Sequence, residues 1–390
     1  MRWINLSLGK YLVVAVLSSG WVHADLKSQP ILPEYQIEDA QEWKAKGKIL
    51  DGLRAKGLKP ATTSSILSDL NRKGSRVSWL WGIHRLHWGF RWNWGDLKTK
   101  DWYPQGLSGS ADATSRGRWN NRKVLLVSWY YHHETKTASA NKGVRISFVD
   151  ITNKNKVRYR HVLLVNPTGS AQKPNFTTLS HPSGSKYAAL HAGGIVCYGP
   201  YLYVSDTVQG FRVFDLRRMF RVSTGQKRIG LWKGRYYAYG YKYILPQVGL
   251  YRLTNRDKTK FSFVGLDRSQ TPHALISGEY HKTSKSGLIY RWNLNSRTHK
   301  LAGTQPVRVF KTGVARMQGA LSKGNRYWTN TSGPIARMRY LQQGQRTRSY
   351  RWRYGPEDLM LERSSDHLWA LSEHPWRRQV WCVKTEDYSP

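Results

Sequence analysis

A short module of strands and turns recurs five times along this chain, and the repeat constrains the fold more than any other feature. The clearest copy runs from His191 to Leu216. Its first strand opens with a small and then an aliphatic residue (Gly194-Ile195), its second ends at Asp206, and its third begins at Gly210. The other first strands open at Gln105-Gly106-Leu107, Val264-Gly265-Leu266, Gln318-Gly319-Ala320 and Glu357-Asp358-Leu359. We number the modules 1 to 5 in chain order, so the copy at His191 is module 2.

Modules of this kind cannot bury both faces alone, and their repetition favours a radial architecture. The sequence therefore predicts an all-β fold, a β-propeller with five blades and an N-terminal extension. The spacing of the copies is too irregular for a β-helix, which needs a short fixed period. A β-sandwich with a chance resemblance between its hairpins is the alternative fold.

The first 24 residues have the features of a secretory signal peptide. Arg2 and Lys10 give a basic start, residues 11–17 an apolar stretch, and Val22-His23-Ala24 a cleavage site with small residues. The apolar stretch is too short to span a bilayer. We expect a protein that is secreted or periplasmic after removal of this segment.

Residues 25–78 are predicted to form the extension, and residues 79–388 the propeller. The propeller begins with a Trp-rich segment between Trp79 and Trp102, in which residues 90–94 alternate aromatic and polar side chains. Period-two alternation is typical of a half-buried strand. This segment is expected either to pack across a propeller face or to add a strand to a blade. Cys197 and Cys382 fall in modules that are not neighbours in a five-bladed ring, which predicts two unpaired thiols.

The charge balance is extreme, with 63 Lys and Arg against 24 Asp and Glu, a net charge of +39. Solubility does not require such an imbalance, and self-repulsion opposes compaction. A polyanionic partner explains it most directly. An acidic or saline habitat, or a lineage bias towards basic exported proteins, is the alternative explanation.

Several strings in modules 2 and 3 resemble an uncharacterised family of exported proteins that is common in actinomycetes and regarded as β-propellers. These strings are residues 191–195, 201–207, 210–216, 241–247 and 261–269. The resemblance covers roughly Tyr103 to Val383. It implies export and a propeller fold, and it brings no catalytic residue or substrate.

In a propeller, the start of each first strand and the end of each second strand emerge on one face, where loops carry function. Second-strand ends include Trp129, Asp206, Asn330 and Glu373, with His132, His133, Glu134, His281 and His374 in the loops. Such residues could bind a metal, or place two carboxyls ~5–10 Å apart for glycoside cleavage. The candidates for a carbohydrate-active hydrolase or lyase at the channel mouth are Glu357, Asp112, Asp267, His191 and Gln318. No metal-spaced His motif is present, the sequence assigns no cofactor, and Asp206 and Asn330 are interpreted as turn-closing residues.

A second candidate site is a run of Arg and aromatic residues that alternate on predicted strands. The predicted ligand-binding residues are Arg337, Arg339, Arg346, Arg348, Arg351, Arg353, Tyr350 and Trp352. Guanidinium groups bind carboxylate, sulfate or phosphate in bidentate fashion, and aromatic rings stack on sugars or bases. The function favoured is binding of a polyanion, with acidic glycans or anionic cell-envelope material ahead of nucleic acid. A strand edge guarded by charge and a protein-interaction scaffold are the alternatives.

Overall fold

The computed structural model describes residues 26–132, 141–181 and 190–390, and the predicted signal segment lies outside them. The fold is all-β, as predicted, and within these ranges it has four short α-helices and two 3-10 helices. The helices are Trp43–Ala55, Thr63–Leu67, Trp94–Lys98, Ser110–Ala113, Pro33–Tyr35 and Thr385–Tyr388. None of the helices in these ranges is long and apolar enough to cross a membrane.

Each of the five modules is a set of four antiparallel strands, and each strand pairs with the next one from the inner edge of the sheet to the outer edge. Module 1 contains Trp102–Gly109, Val124–Tyr131, Val144–Asp150 and Arg158–Gly169. Module 2 contains Ile195–Tyr198, Tyr201–Asp206, Gly210–Asp215 and Tyr243–Leu253. Module 3 contains Phe263–Asp267, Ala274–Gly278, Leu288–Asn293 and Arg308–Lys311. Module 4 contains Met317–Lys323, Arg326–Thr331, Arg337–Gln342 and Arg348–Arg351, and module 5 contains Pro356–Glu362, His367–Ser372, Gln379–Lys384 and Trp88–Arg91.

The first, or inner, strands of the modules form a closed series. Each contacts the inner strand of the next module, and that of module 5 contacts that of module 1. Glycines permit this approach, because a Cβ on Gly194 would lie 2.2 Å from the backbone nitrogen of Val264. In module 5 the matching position is Asp358, whose Oδ2 accepts the backbone N–H groups of Leu107 (2.9 Å) and Ile195 (3.1 Å). A buried carboxyl group therefore joins the last inner strand to the first two.

The Trp-rich segment completes module 5 from the opposite end of the chain. Trp88–Arg91 pairs with the third strand of that module, and Ser75–Val77 pairs with Trp88–Arg91 in turn. The segment therefore adds a strand, which is one of the two predicted arrangements. Trp88 and Trp92 are buried in the core behind it.

The extension lies along the outer edges of several modules. Lys27–Gln29 pairs with module 3, Ile37–Asp39 with module 2 and Arg72–Lys73 with module 1. The remaining short strands, all outside the four-stranded sets, are Lys59–Ala61, Pro174–Thr178, Met219–Arg221, Ile229–Trp232 and Arg235–Ala238. The extension is thus an outer layer on the repeat.

Modules 1 and 2 share one continuous sheet. The outer strand of module 2, Tyr243–Leu253, has 11 residues and is long enough to pair with two neighbours. Its first part pairs in parallel with Leu163–Val165 of module 1, and its later part pairs with the third strand of module 2. The two modules are therefore joined at their outer strands as well as at their inner strands.

Candidate functional site

In modules 1 and 2, a Ser hydroxyl of the second strand holds the inner strands in place. Ser128 Oγ accepts the N–H of Gly106 (2.7 Å) and donates to the carbonyl oxygen of Ala192 in module 2 (2.9 Å). Ser205 Oγ accepts the N–H of Gly194 (2.9 Å) in the equivalent way. These two Ser side chains are therefore explained by the packing of the inner strands.

A cavity of about 430 Å³ lies where the inner strands begin. Modules 1 to 5 all contribute to it or to the loops beside it. The lining residues are Gln105, Tyr130, His181, His191, Gly193, Thr207, Lys260, Ser262, Tyr280, Gln318, Glu357 and Glu373. We call it the axial cavity.

Two carboxyl groups in the axial cavity form one hydrogen-bonded chain with two amides. Gln318 Nε2 donates to Glu357 Oε1, and Gln105 Nε2 donates to Glu373 Oε2, both at 2.9 Å. The carboxyls of Glu357 and Glu373 hydrogen-bond to each other. Burial raises the pKa of Glu357 well above its usual range, and it raises that of Glu373 to about 7. Near neutral pH the pair therefore holds a proton, which Glu357 donates to Glu373.

The wall beside this pair is aromatic. The rings of Tyr130 and His191 stack with centroids 4.5 Å apart and planes at 14°. Burial, and then the nearby Glu373, raises the pKa of Tyr130, so its hydroxyl remains a hydrogen-bond donor. The axial cavity therefore offers hydroxyl, amide and carboxyl groups beside two flat rings.

Three of the five predicted catalytic residues, Glu357, His191 and Gln318, line the axial cavity. The other two do not, which corrects their predicted placement at the channel mouth. Asp267 is the last residue of its inner strand and Asp112 lies just after the C-terminal end of its own, whereas the cavity lies at the N-terminal ends.

Asp112 and Asp267 have other partners at that opposite end. Asp112 accepts a hydrogen bond from Ser108 Oγ (2.7 Å), and burial raises its pKa to about 7. Asp267 forms an ion pair with Arg291 (2.6 Å).

Two residues of the cavity are not among the predicted catalytic residues: Glu373 is predicted only as a second-strand end, and Tyr130 is not predicted. Glu373 directly follows the second strand of module 5, but only the fold shows that its carboxyl meets that of Glu357. In module 1 the predicted strand end was Trp129, which is fully buried and donates to Ser147 Oγ (2.8 Å). Tyr130, one residue later, lines the cavity instead.

The prediction that Asp206 closes a turn is confirmed, because its carboxyl accepts the N–H groups of Val208 (2.9 Å) and Gln209 (3.0 Å). The same prediction is wrong for Asn330, because its Nδ2 donates to the carbonyl oxygen of Glu357 in the next module. Among the described residues, no three His, Cys, Asp or Glu side chains lie close enough to hold a metal ion. His133 and Glu134 lie outside the described residues.

The predicted Arg site is only partly assembled. Arg337 lies opposite Arg351, and Arg339 opposite Ser349, so three guanidinium groups share one side of module 4. Arg339 is half-buried, and its Nε and Nη1 have no hydrogen-bond partner within the described chain. The Arg351 guanidinium lies 4.2 Å from the ring centroid of Trp81, which is exposed. We call Arg337, Arg339 and Arg351 the module 4 arginines.

The remaining predicted ligand contacts are dispersed. Arg348 and Tyr350 lie on the other side of the sheet, and Arg346 lies in the preceding turn. Arg353 donates from Nε to Gln379 Oε1 (3.0 Å). The prediction that Trp352 contacts a ligand is wrong, because this ring is only 1% exposed and packs in the core.

Acidic and basic side chains are distributed unequally between core and surface. Among the described residues nine Asp and Glu are buried, but only four Lys and Arg are. Several of the buried acids are neutralised there, as in the ion pairs Asp96–Arg145 (2.9 Å) and Asp206–Arg212 (2.8 Å). Few carboxylates remain to balance the cations outside.

Comparisons with known proteins give no family: neither a family model nor a curated protein matches this chain. A GH43_1 enzyme from Xanthomonas citri, solved with xylose, has a TM-score of 0.35 at 8% identity, covering 87% of this chain and 92% of that chain. A neuraminidase-like protein of a flat-faced bat isolate from Peru has a TM-score of 0.35 at 8% identity, covering 81% and 95%. Hydrazine synthase from Kuenenia stuttgartiensis has a TM-score of 0.31 at 11% identity, covering 75% and 77%. These scores are too low to assign a fold or a function, and the resemblance to an actinomycete family stays a prediction.

Proposed function

We propose that this chain is an exported five-bladed β-propeller that binds polyanions, and that acidic glycans are its ligands. The five four-stranded modules and the closed series of inner strands support the propeller. So does the outer strand of module 5, which comes from the N-terminal part of the chain. Joining the first and last parts of a repeat in one sheet closes a ring.

The observation that carries the binding function is the separation of charge. Buried acids take up cationic partners in the core, while most Lys and Arg side chains face outwards. Like charges placed opposite each other on neighbouring strands destabilise a sheet, yet Arg337 and Arg351 are so placed. None of the module 4 arginines forms an ion pair with a described residue. A bound sulfate or carboxylate would supply the missing counter-charge and the acceptors that Arg339 lacks.

An acidic glycan fits this surface better than nucleic acid. Arg351 lies over one face of Trp81, and the exposed ring offers a flat apolar surface beside the guanidinium. Sugar rings pack on such surfaces while their acidic groups engage Arg. The proposed export would also place the protein among extracellular polysaccharides.

The test replaces the module 4 arginines with Gln and measures binding to dextran sulfate, polygalacturonate and neutral dextran. The matched control is R116Q/R297Q/R363Q, which removes the same charge from exposed positions elsewhere. We expect the module 4 variant to lose about tenfold in affinity for the acidic polymers, since each lost contact also removes counterion release. Equal losses in both variants would indicate that binding depends only on the overall charge of the protein. That result would oppose the assignment of the module 4 arginines as the binding site.

The axial cavity supports a second candidate, a hydrolase or lyase acting on a glycan. Protonated Glu357 is a group that could donate a proton to a leaving oxygen. Its direct hydrogen bond to Glu373 is shorter than the ~5 Å or more that separates the carboxyls of glycosidases, so the pair would have to part around a substrate. Turnover of a glycan by the wild type and by E362Q, but not by E357Q, would establish this activity. Absence of products from every glycan tested would oppose it.

A further inference from the structure

The junction of modules 1 and 2 carries two cavities that the sequence patterns did not indicate. The first, of about 260 Å³, lies beside the outer strand of module 1. It is lined by four cationic residues, Arg72, Lys142, Arg160 and Lys242, and by no acidic residue.

The second cavity, of about 450 Å³, lies beside Met219–Arg221 and the hairpin formed by Ile229–Trp232 and Arg235–Ala238. Its cationic lining residues are Lys56, Lys59, Arg221, Arg235 and Lys242, and again no acidic residue lines it. Because Lys242 lines both cavities, they are adjacent parts of one surface. We call this surface the junction trough.

Carboxylates of the chain neutralise only part of the junction trough. Asp69 forms ion pairs with Lys242 (2.6 Å) and Arg160 (3.0 Å). Asp96 lies 3.5 Å from Arg72 but is held more closely by the buried Arg145, at 2.9 Å. The other five cations form no ion pair with a described residue; they are Lys56, Lys59, Lys142, Arg221 and Arg235.

The partly paired cations are held in fixed positions. Arg160 and Lys242 share Asp69, which also accepts a hydrogen bond from the Tyr243 hydroxyl (2.8 Å). This contact network orients the charges towards the first cavity before any ligand arrives, which lowers the ordering cost of binding. The cations without an ion pair to a described residue extend the positive surface into the second cavity.

Aromatic rings and hydroxyl groups accompany the cations. Trp102, Tyr239 and Tyr241 line the first cavity, and Tyr236, Ser223 and Thr224 line the second. Rings beside cations can pack on sugar faces while hydroxyl groups exchange hydrogen bonds with sugar hydroxyls. This mixture favours an acidic polysaccharide over a partner recognised by phosphate charge alone.

We propose that the junction trough is the main surface through which this protein binds an acidic polysaccharide, with several sugar units spanning the two cavities. The proposal rests on the proposed polyanion-binding function and assigns it to a surface distinct from the module 4 arginines. The trough draws on the extension, module 1, module 2 and the insertion between the last two strands of module 2.

The experiment measures the affinity of the full chain for dextran sulfate, polygalacturonate, neutral dextran and single-stranded DNA over a salt series. The trough variant is K56Q/K59Q/R221Q/R235Q, at four exposed positions without ion pairs to described residues. The control is R116Q/R297Q/K258Q/K285Q, which removes two Lys and two Arg from exposed positions elsewhere. Thermal unfolding verifies that both variants remain folded.

We expect the trough variant to bind acidic polysaccharides at least about tenfold more weakly and with a shallower dependence on salt, with a much smaller loss in the control. Retained affinity in the trough variant, while the wild type binds selectively, would overturn the trough and leave the proposed function standing. Wild-type binding that is no stronger to acidic polymers than to neutral dextran would overturn both. Tighter binding of DNA than of either polysaccharide would overturn the assigned ligand class.

Discussion

The carboxyl pair of the axial cavity makes the stability of this protein depend on pH, and the substitution Glu373→Gln should remove much of that dependence. The pKa of Glu373 rises from an ordinary 4.5 to about 7 because the group is buried. The folded state therefore binds the proton more tightly than the unfolded state between these two values. Stabilisation by this proton is fully present below pH 4.5 and is lost as pH rises through 7.

The size of the effect follows from the two pKa values. A difference of about 2.5 in pKa corresponds to roughly 3 kcal/mol in the free energy of unfolding. In E373Q an amide that does not titrate replaces the Glu373 carboxyl, so this proton is absent from both the folded and the unfolded state. We therefore expect the wild type to lose about 3 kcal/mol between pH 4.5 and pH 8 from Glu373, and E373Q to lose much less.

The assay is urea unfolding at pH 5 and pH 8, followed by tryptophan fluorescence. The control is E362Q, because Glu362 binds Lys123 and Trp369 outside the pair and its pKa is lowered. Other buried carboxyls with raised pKa, such as Asp112, contribute equally to all three proteins and cancel in the comparison. An equal loss of stability in E373Q and the wild type would refute a raised pKa for Glu373.

Three further predictions concern the ring and the core. D358A should lower the free energy of unfolding by about 2–6 kcal/mol in urea titrations, because it leaves two buried N–H groups without an acceptor. D358N keeps an acceptor and should cost less. An equal cost for both variants would contradict the hydrogen bonds from Leu107 and Ile195. G194A should lower the melting temperature, because the new Cβ would lie 2.2 Å from a backbone nitrogen of module 3. The control G225A should leave the melting temperature unchanged, because a Cβ on Gly225 would have no atom within 4 Å. Similar melting temperatures for the two variants would argue against close inner strands. Cys197 and Cys382 are unpaired and buried, and burial raises both pKa values; neither thiol should react with a thiol reagent at pH 8 until the protein unfolds, and rapid labelling of the native protein would contradict their burial.

The repeat in the sequence predicted the modules because its cues are local. A glycine at an inner strand and a Ser in the second strand are fixed by contacts within one module and its neighbour, as Ser128 and Gly106 illustrate. The rule that first-strand starts and second-strand ends share a face brought Glu357, Gln318 and His191 to one cavity. The same rule excludes Asp112 and Asp267, since both lie at the far ends of inner strands.

What could not be predicted depends on contacts between distant segments. Trp352 stands in an alternating Arg and aromatic pattern, but the chain turns there and the ring enters the core against Trp381 and Tyr388. The hydrogen bond between Glu357 and Glu373 depends on a register that no single strand specifies. The junction trough is assembled from residues between 56 and 242 that form no local pattern, so only the parallel pairing of modules 1 and 2 brings them together.

The measurement that tests the central claim most directly is the affinity of the wild-type protein for acidic and neutral polysaccharides at rising salt. We predict selective binding of dextran sulfate or polygalacturonate that persists at about 0.15 M salt, where exposed charges beyond about 8 Å are screened. Neutral dextran should not compete. The account would be contradicted if the protein bound every polyanion and lost this binding by that salt concentration. Binding would then depend on the charge of the whole surface and not on a specific site.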